Sequence, residues 1–299
     1  MPSNWQKKLL NKPTITEVKI WLKTVWPLSQ TQPSLANWLL AFILNCPPHQ
    51  IASEPKCQLT LGQWFRLRQA VKKLALGYPL AYLIGQQDFY GRTFKVNKHT
   101  LIPRPESECL IDIAKDLNKT FTEPTAWIDL GTGSGCLAIS LALELGPNNY
   151  YGASDISLPT LKMAQSNAKA LSANIDWHQG SLLEPWLNEP ELKKYKNLVI
   201  VANLPYLDPK DYQNNFQELR FEPKSALVSG IDGLALFSKL ARELPIFIAN
   251  HPEQKIHLLT ESRIDHVTTL ESLLSVSDLI WQQAHPDLTG RQRFGYWHN

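Results

Sequence analysis

The sequence has only four cysteines, Cys46, Cys57, Cys109 and Cys136, and they are scattered. None stands in a CxxC pair, and no histidine cluster at metal-ligand spacing accompanies them, so no metal site and no disulfide framework is expected. Free thiols are the expectation, and with them a reducing compartment. No apolar run is long enough to span a membrane. The opening residues, Met1 to Leu10, are not followed by an apolar stretch of the kind a signal peptide needs, so a cytoplasmic location is expected. No long Lys/Arg run stands out, and a net charge of +3 does not call for a nucleic-acid partner. Repeats and low-complexity segments are absent. His99, His178 and His251 are isolated and read as surface or satisfied core residues, with no Ser-His-Asp or Cys-His arrangement around them.

What remains is an ordinary globular composition, 43% hydrophobic and 19% charged. At 299 residues, two domains are expected. The first 80 residues read as a small helical bundle. Thr14 with Glu17 has capping-box spacing, and Val18, Trp21, Leu22 and Val25 then share one helical face up to Pro27. Ser34 is the expected cap of a second helix carrying Leu35, Trp38, Leu39 and Phe42, ended by Pro47-Pro48. Thr60 with Gln63 repeats the capping box ahead of Trp64, Leu67, Val71 and Leu74, and Gly77 with Pro79 is a stop. Residues 81–96 alternate and carry aromatics with glycine punctuation, which predicts a β-hairpin. It leads into Ile102-Pro103-Arg104-Pro105, an extended path, and Glu106 then opens a helix. The expected division is therefore helices over 1–80, a hairpin connector over 81–105, and a second domain over 106–299.

From residue 125 the pattern alternates. Strands are expected at Trp127–Leu130, Tyr150–Ser154, Ile175–His178, from Val199, and at Lys255–Thr260. Helices are expected from the glycine loop to about Leu145, from a Ser157 cap to Leu171, over Asp232–Leu244, and near Val267–Leu274. Ile280-Trp281 and Arg293 to Trp297 read as a final pair of strands. This is an α/β chain with a mostly parallel, doubly wound, seven-stranded Rossmann-like sheet, helices on both faces.

In such a sheet, ligands sit at the carboxyl ends of the strands. Three features fall there. The first is the loop Gly131-Thr132-Gly133-Ser134-Gly135, with Asp129 just before it. It follows a strand and opens a helix, the context that gives glycine loops meaning. Cys136 stands where the dinucleotide fingerprint has its spaced third glycine, and there is no Walker lysine, so a nucleoside without a pyrophosphate is the expected ligand. The second is Asp155, placed to accept from two ribose hydroxyls. The third is Asn203-Leu204-Pro205-Tyr206, at the end of an apolar, β-branched run that Pro205 cannot continue. There the Asn203 oxygen and the Leu204 carbonyl offer two acceptors beside an aromatic ring, a receptor for a planar NH2 group. A nucleoside cofactor beside such a receptor points to methyl transfer from S-adenosylmethionine to a planar amide or amine nitrogen. The sulfonium methyl is already activated, so the protein need mainly position and desolvate.

Across nearly its whole length the chain resembles the bacterial release-factor glutamine methyltransferases of the PrmC/HemK type. The matching pieces are Gly77 to Gly85, Thr100-Leu101-Ile102-Pro103-Arg104-Pro105-Glu106, Asp129 to Gly135, the Asn203 tetrapeptide, and Phe221-Glu222-Pro223-Lys224-Ser225-Ala226-Leu227. The resemblance implies a class I methyltransferase fold behind a substrate-recognition domain. It also implies methylation of the glutamine side chain in the Gly-Gly-Gln loop of peptide chain release factors. By the same resemblance, Asn203, Leu204, Pro205 and Tyr206 contact that glutamine. Asp129, Gly131, Thr132, Gly133, Ser134, Gly135, Asp155, Ser181, Leu182 and Asn203 line the cofactor site. Arg104 with Glu106 shapes its entrance. A monomer without metal, membrane or direct nucleic-acid contact is expected.

The chain departs from the family pattern in places. Leu204 replaces the first proline of Asn-Pro-Pro-Tyr, supplying the same carbonyl with less rigidity. Thr260-Glu261-Ser262 stands where the family has Glu-Ile-Gly, and Ser181 or Leu182 where it has an Asp followed by an aromatic. The alternatives carried forward are a glutamine methyltransferase acting on a large-subunit ribosomal protein, an adenine amino methyltransferase on nucleic acid, and a cofactor-binding protein without catalysis.

Overall fold

The computed structural model describes residues 12–275 and 279–299; the reading of Met1 to Leu10 lies outside these residues. The chain divides into two compact units, one up to Gly85 and one from Gln86 onward.

In the first unit both capping boxes form. Thr14 Oγ1 accepts the Glu17 N–H, and the Glu17 carboxylate accepts the Thr14 N–H at 3.0 Å, opening the helix Ile15–Val25. Thr60 and Gln63 do the same for Leu61–Ala75. Val18, Leu22, Leu39, Leu40, Leu67 and Val71 meet in one core. The helix between them, Pro33–Leu44, is not capped by Ser34: Pro33 takes its first turn, where a missing N–H costs nothing, and Gln32 is the N-cap. It ends at Asn45 in the left-handed region, and Pro48 then opens a further short helix, Pro48–Ser53. A second correction concerns residues 81–84. They form the helix Leu80–Ile84, closed by Gly85 at φ +77°, not the first strand of the hairpin.

The hairpin itself is shorter, β1 (Gln86–Phe89) with β2 (Arg92–Lys95). Its two turn residues, Tyr90 and Gly91, both have positive φ, the twist that suits a two-residue hairpin. Buried Asn167 accepts the Lys95 N–H and donates to the Lys95 carbonyl, so the hairpin is fastened to the helix Leu158–Leu171 within the second unit.

The main sheet has seven strands: β3 (Thr125–Leu130), β4 (Tyr150–Asp155), β5 (Asp176–Gln179), β6 (Asn197–Ala202), β7 (Lys255–Glu261), β8 (Ile280–Pro286) and β9 (Gln292–His298). Their order is β5-β4-β3-β6-β7-β9-β8. The first five are parallel, and β9 and β8 close the edge antiparallel, as a short connection between them requires. Burial of both faces shows in β6. Leu198, Ile200 and Ala202 belong to one core with Phe237, Leu240 and Phe247, while Val199 and Val201 belong to another with Ile139 and Leu110. The helix expected to end at Leu244 runs instead over Ala235–Asn250, through Pro245. Leu244 and Phe247 are both buried on its sheet-facing side, and that packing carries it past the lost N–H.

β3 has β4 on one side and β6 on the other, so the winding reverses there, and the loops after β3 and β6 emerge side by side. Leu130 pairs with Ala202 and with Ser154. The next residues along these strands are Gly131, Asn203 and Asp155.

One buried group in the sheet makes stability sensitive to acid. His257 in β7 is 2% exposed, with Nδ1 2.8 Å from the Tyr296 hydroxyl and Nε2 without a partner among the described residues. Burial holds its pKa down to about 3, against an ordinary 6.5. The folded imidazole therefore stays neutral where the unfolded one takes up a proton. Its contribution is complete above the unfolded value and is lost as pH falls from there toward 3. At pH 4 the loss should reach about 3 kcal/mol. Denaturant unfolding at pH 8 and pH 4 checks this: the wild type should lose more stability than His257→Phe, by about that amount.

Candidate active site

The glycine loop is built by its backbone. Gly131, Gly133 and Gly135 have φ of +69°, +58° and +82°, a region that other side chains resist. They serve different ends. A Cβ on Gly135 would lie 2.9 Å from Ile139 Cδ1 and 3.1 Å from Ala164 Cβ, so this glycine admits close helix packing. A Cβ on Gly131 or Gly133 would meet nothing nearer than 3.5 Å, which leaves the backbone there open to a ligand.

Two carboxylates hold the loop. Asp129 Oδ2 accepts from Thr132 Oγ1 at 2.6 Å and from the Ala138 N–H at 3.3 Å, while its buried Oδ1 has no partner among the described residues. Burial pushes the Asp129 carboxyl up to about 7. Asp155 Oδ2 accepts the Gly133 N–H at 3.1 Å and Oδ1 the Ser157 N–H at 2.9 Å. Burial raises its pKa, and these two backbone bonds oppose the rise. A carboxylate has about four acceptor positions, so Asp155 keeps capacity for a diol. Asn167, which fastens the hairpin, also donates to the Ser134 carbonyl at 2.9 Å. Open glycines, an orphaned buried acceptor and an unsaturated carboxylate together fit a polar nucleoside cofactor.

Ser181 and Leu182 follow β5. Ser181 Oγ accepts from Lys239 Nζ at 2.7 Å. Leu182 is buried and has φ of +50°, a strained value for a branched side chain.

Asn203 is half-buried at the end of β6. Its Nδ2 donates to Ser107 Oγ at 2.8 Å, and Ser107 donates to Glu261 Oε2 at 2.5 Å. Glu261 Oε1 accepts from the Tyr206 hydroxyl at 3.3 Å and from Arg293 Nη2 at 3.3 Å, and Arg293 also donates to the Tyr206 oxygen at 2.8 Å. Burial pushes the Glu261 carboxyl up, and Ser107, Arg293 and Tyr206 pull it back. The tetrapeptide is thus held from behind by residues of three other segments. The Leu204 side chain is buried in the core and packs toward Gly131, which puts the two loops in contact. Gly233 comes so close that a Cβ there would lie 2.3 Å from the Tyr206 carbonyl oxygen. The segment after Tyr206 is anchored as well, by Arg263 pairing with Asp208 and Asp211.

Arg104 has a structural partner: it donates to Glu222 Oε1 at 2.5 Å, and the Ile102 N–H donates to Oε2 at 3.0 Å. Buried Glu222 therefore joins the Ile-Pro-Arg-Pro segment to the Phe-Glu-Pro segment. Glu106 is exposed in a short 3-10 turn, Pro105–Ser107.

Sequence reasoning brought together the glycine loop, Asp155 and Asn203. It missed Ser107, Asn167 and Arg293, and it counted Glu261 only as a departure. A signal for Glu261 was present: like Asp129 and Asp155, it is an acidic residue closing an apolar strand. Ser107 and Arg293 gave none, because hydroxyls and arginines at element ends are common. Among the described residues no group of three or more His, Cys, Asp or Glu is gathered as a metal site. No helix among them is long and apolar enough to cross a membrane.

Residues 29–85 match the PrmC N-terminal domain family, and residues 128–221 match a methyltransferase domain family. The chain is 36% identical over 231 residues to a release factor glutamine methyltransferase of Neisseria gonorrhoeae, covering 76% of this chain and 80% of the relative. It is 32% identical over 268 residues to that of Coxiella burnetii, covering 89% and 91%. Among solved structures, the catalytic domain of hMettl16 in complex with the MAT2A 3'UTR hairpin 6 aligns with a TM-score of 0.51 at 15% identity, over 70% of this chain and 76% of that one. At that identity the likeness is one of fold.

Proposed function

Since the chain belongs to the release factor glutamine methyltransferases, we propose that it methylates the side-chain amide nitrogen of the glutamine in the Gly-Gly-Gln motif of peptide chain release factors. It is an S-adenosylmethionine-dependent glutamine methyltransferase. The cofactor, when bound, supplies a methyl already activated as a sulfonium. The residues that would hold it are Asp129, the loop from Gly131 through Thr132, Gly133 and Ser134 to Gly135, Asp155, Ser181 and Leu182.

The protein's own task is positioning. An amide nitrogen is a poor nucleophile because its lone pair is delocalised into the carbonyl. In this reading the Asn203 oxygen and the Leu204 carbonyl accept its two N–H bonds, orient it and raise electron density on nitrogen. Tyr206 packs against the amide plane and excludes water. Pro205 ends the strand so that these atoms stay unpaired by the sheet. The helices of the first unit, up to Ile84, serve substrate recognition, the hairpin of β1 and β2 connects, and the transfer domain follows. The reaction belongs in the cytoplasm, where release factors act, with the enzyme working as a monomer.

The observation that carries this reading is the position of Asn203 beside the glycine loop at the reversal of strand order, with its amide nitrogen already bonded on the protein side. The test is to incubate the protein with S-adenosylmethionine and purified release factors, ribosomal proteins or ribosomal RNA, and to map the methyl group by mass spectrometry. One methyl on the glutamine of Gly-Gly-Gln is the expected result. A methyl on a ribosomal-protein glutamine or on adenine, with release factors untouched, would replace this reading.

A further inference from the structure

Asn203 can serve the reaction only if its oxygen, not its NH2, faces the incoming amide. The two ends of a carboxamide are nearly isosteric, so shape alone does not decide between them. We propose that Ser107 and Glu261 are positioning residues that set the polarity of the Asn203 amide, holding its NH2 inward so that its oxygen faces the reacting nitrogen. This rests on the role given to Asn203 above.

Donors and acceptors fix the orientation. Arg293 can only donate, and its Nη2 faces Glu261 Oε1 at 3.3 Å. The other carboxylate oxygen, Oε2, lies 2.5 Å from Ser107 Oγ. Paired with the Arg293 guanidinium and accepting from Tyr206, Glu261 is a carboxylate and offers no proton, so the single hydroxyl proton of Ser107 must point at Glu261. The Ser107 oxygen is then left as an acceptor toward Asn203, 2.8 Å away. Only the NH2 end of Asn203 can satisfy it. Ser107 is 3% exposed and Glu261 1%, so water does not compete for either bond. Reversing the amide would place two acceptors face to face in a buried site.

The chain of bonds has a direction, and one substitution reverses it. In Glu261→Gln, Arg293 still demands an acceptor, so the new amide oxygen stays beside it. The new NH2 then faces Ser107, which turns its proton toward Asn203. Asn203 answers with its oxygen, and its NH2 swings out to meet the substrate NH2. Ser107→Ala breaks the chain, leaving the Asn203 amide to turn freely.

The experiment measures kcat, KM and cofactor Kd for the full-length wild type, Ser107→Ala, Glu261→Gln, the double variant, Ser107→Thr and Asn203→Ala. Thermal melting and cofactor titration establish that each is folded. Glu261→Gln should lower kcat by about 10²-fold and leave cofactor Kd within about twofold. Ser107→Ala should lower kcat by about tenfold, and Ser107→Thr, which keeps the hydroxyl, should retain more activity than Ser107→Ala. The deciding result is the double variant: removing Ser107 from Glu261→Gln should recover activity to the level of Ser107→Ala alone. Losses that multiply in the double variant would overturn the inference, because a merely structural network gives that outcome. If multiplied losses accompany a deep loss in Asn203→Ala, the relay alone is wrong. An active Asn203→Ala would remove the role of Asn203 and the inference with it.

Discussion

Asn203→Ala should lower kcat for methyl transfer by about 10²–10³-fold, with cofactor affinity close to that of the wild type. The size follows from where the group acts. A preorganised polar atom aimed at the reacting centre is worth far more there than an average hydrogen bond. The separation of effects follows from the fold. Asn203 closes β6, while the cofactor loop closes β3 and is braced by Asp129 and Asp155. Losing the amide leaves those carboxylate bonds intact. Its Ser107 partner does lose one donor, which costs about 1 kcal/mol of stability. Isothermal titration with S-adenosylmethionine and single-turnover transfer to a release factor check the two halves separately. A variant that bound cofactor and turned over normally would remove Asn203 from the chemistry.

Asp155→Ala should do the reverse, raising cofactor Kd by about 5- to 150-fold while leaving saturated turnover less affected. Asp155 has a double task. It would accept from the ribose hydroxyls, and it already accepts from Gly133 and Ser157, so it shapes the loop as well as meeting the ligand. Removing it leaves two backbone N–H groups to find other partners and loosens a loop whose three glycines supply little rigidity of their own. Asp155→Asn should fall between, since an amide oxygen replaces only one of the two acceptors. Equilibrium titration with the cofactor orders the three proteins. Equal constants for wild type and Asp155→Ala would take Asp155 out of the cofactor site.

Much of this arrangement could be read before any coordinates. β6 announced itself as an apolar, β-branched run, β3 and β4 by their place in an alternation of strand and helix, and their carboxyl ends as Asp129, Asp155 and Asn203. Those are local patterns, and local patterns survive in a sequence. What escaped depended on distant partners. Residues 81–84 open the aromatic, glycine-punctuated run that reads as a hairpin, yet Pro79 and Gly85 bound a short helix, Leu80–Ile84, that packs on its own unit. Pro245 argued for a helix end, and packing of Leu244 and Phe247 overrode it. The resemblance puts Arg104 at the site entrance, and no local pattern shows that it also pairs with Glu222, 118 positions away. Glu261 was the most instructive. Judged by sequence pattern it looked like a loss, and in the fold it joins Ser107, Tyr206 and Arg293 behind Asn203.

The central claim is that the Asn203 oxygen grips the NH2 of an incoming glutamine. It is tested most directly by a crystal structure of the enzyme with the demethylated cofactor and a Gly-Gly-Gln peptide. The account predicts the glutamine nitrogen at about 3 Å from Asn203 Oδ1, with Asn203 Nδ2 still donating to Ser107. A glutamine nitrogen beyond about 3.6 Å from that oxygen, or one facing the Asn203 NH2, would contradict it.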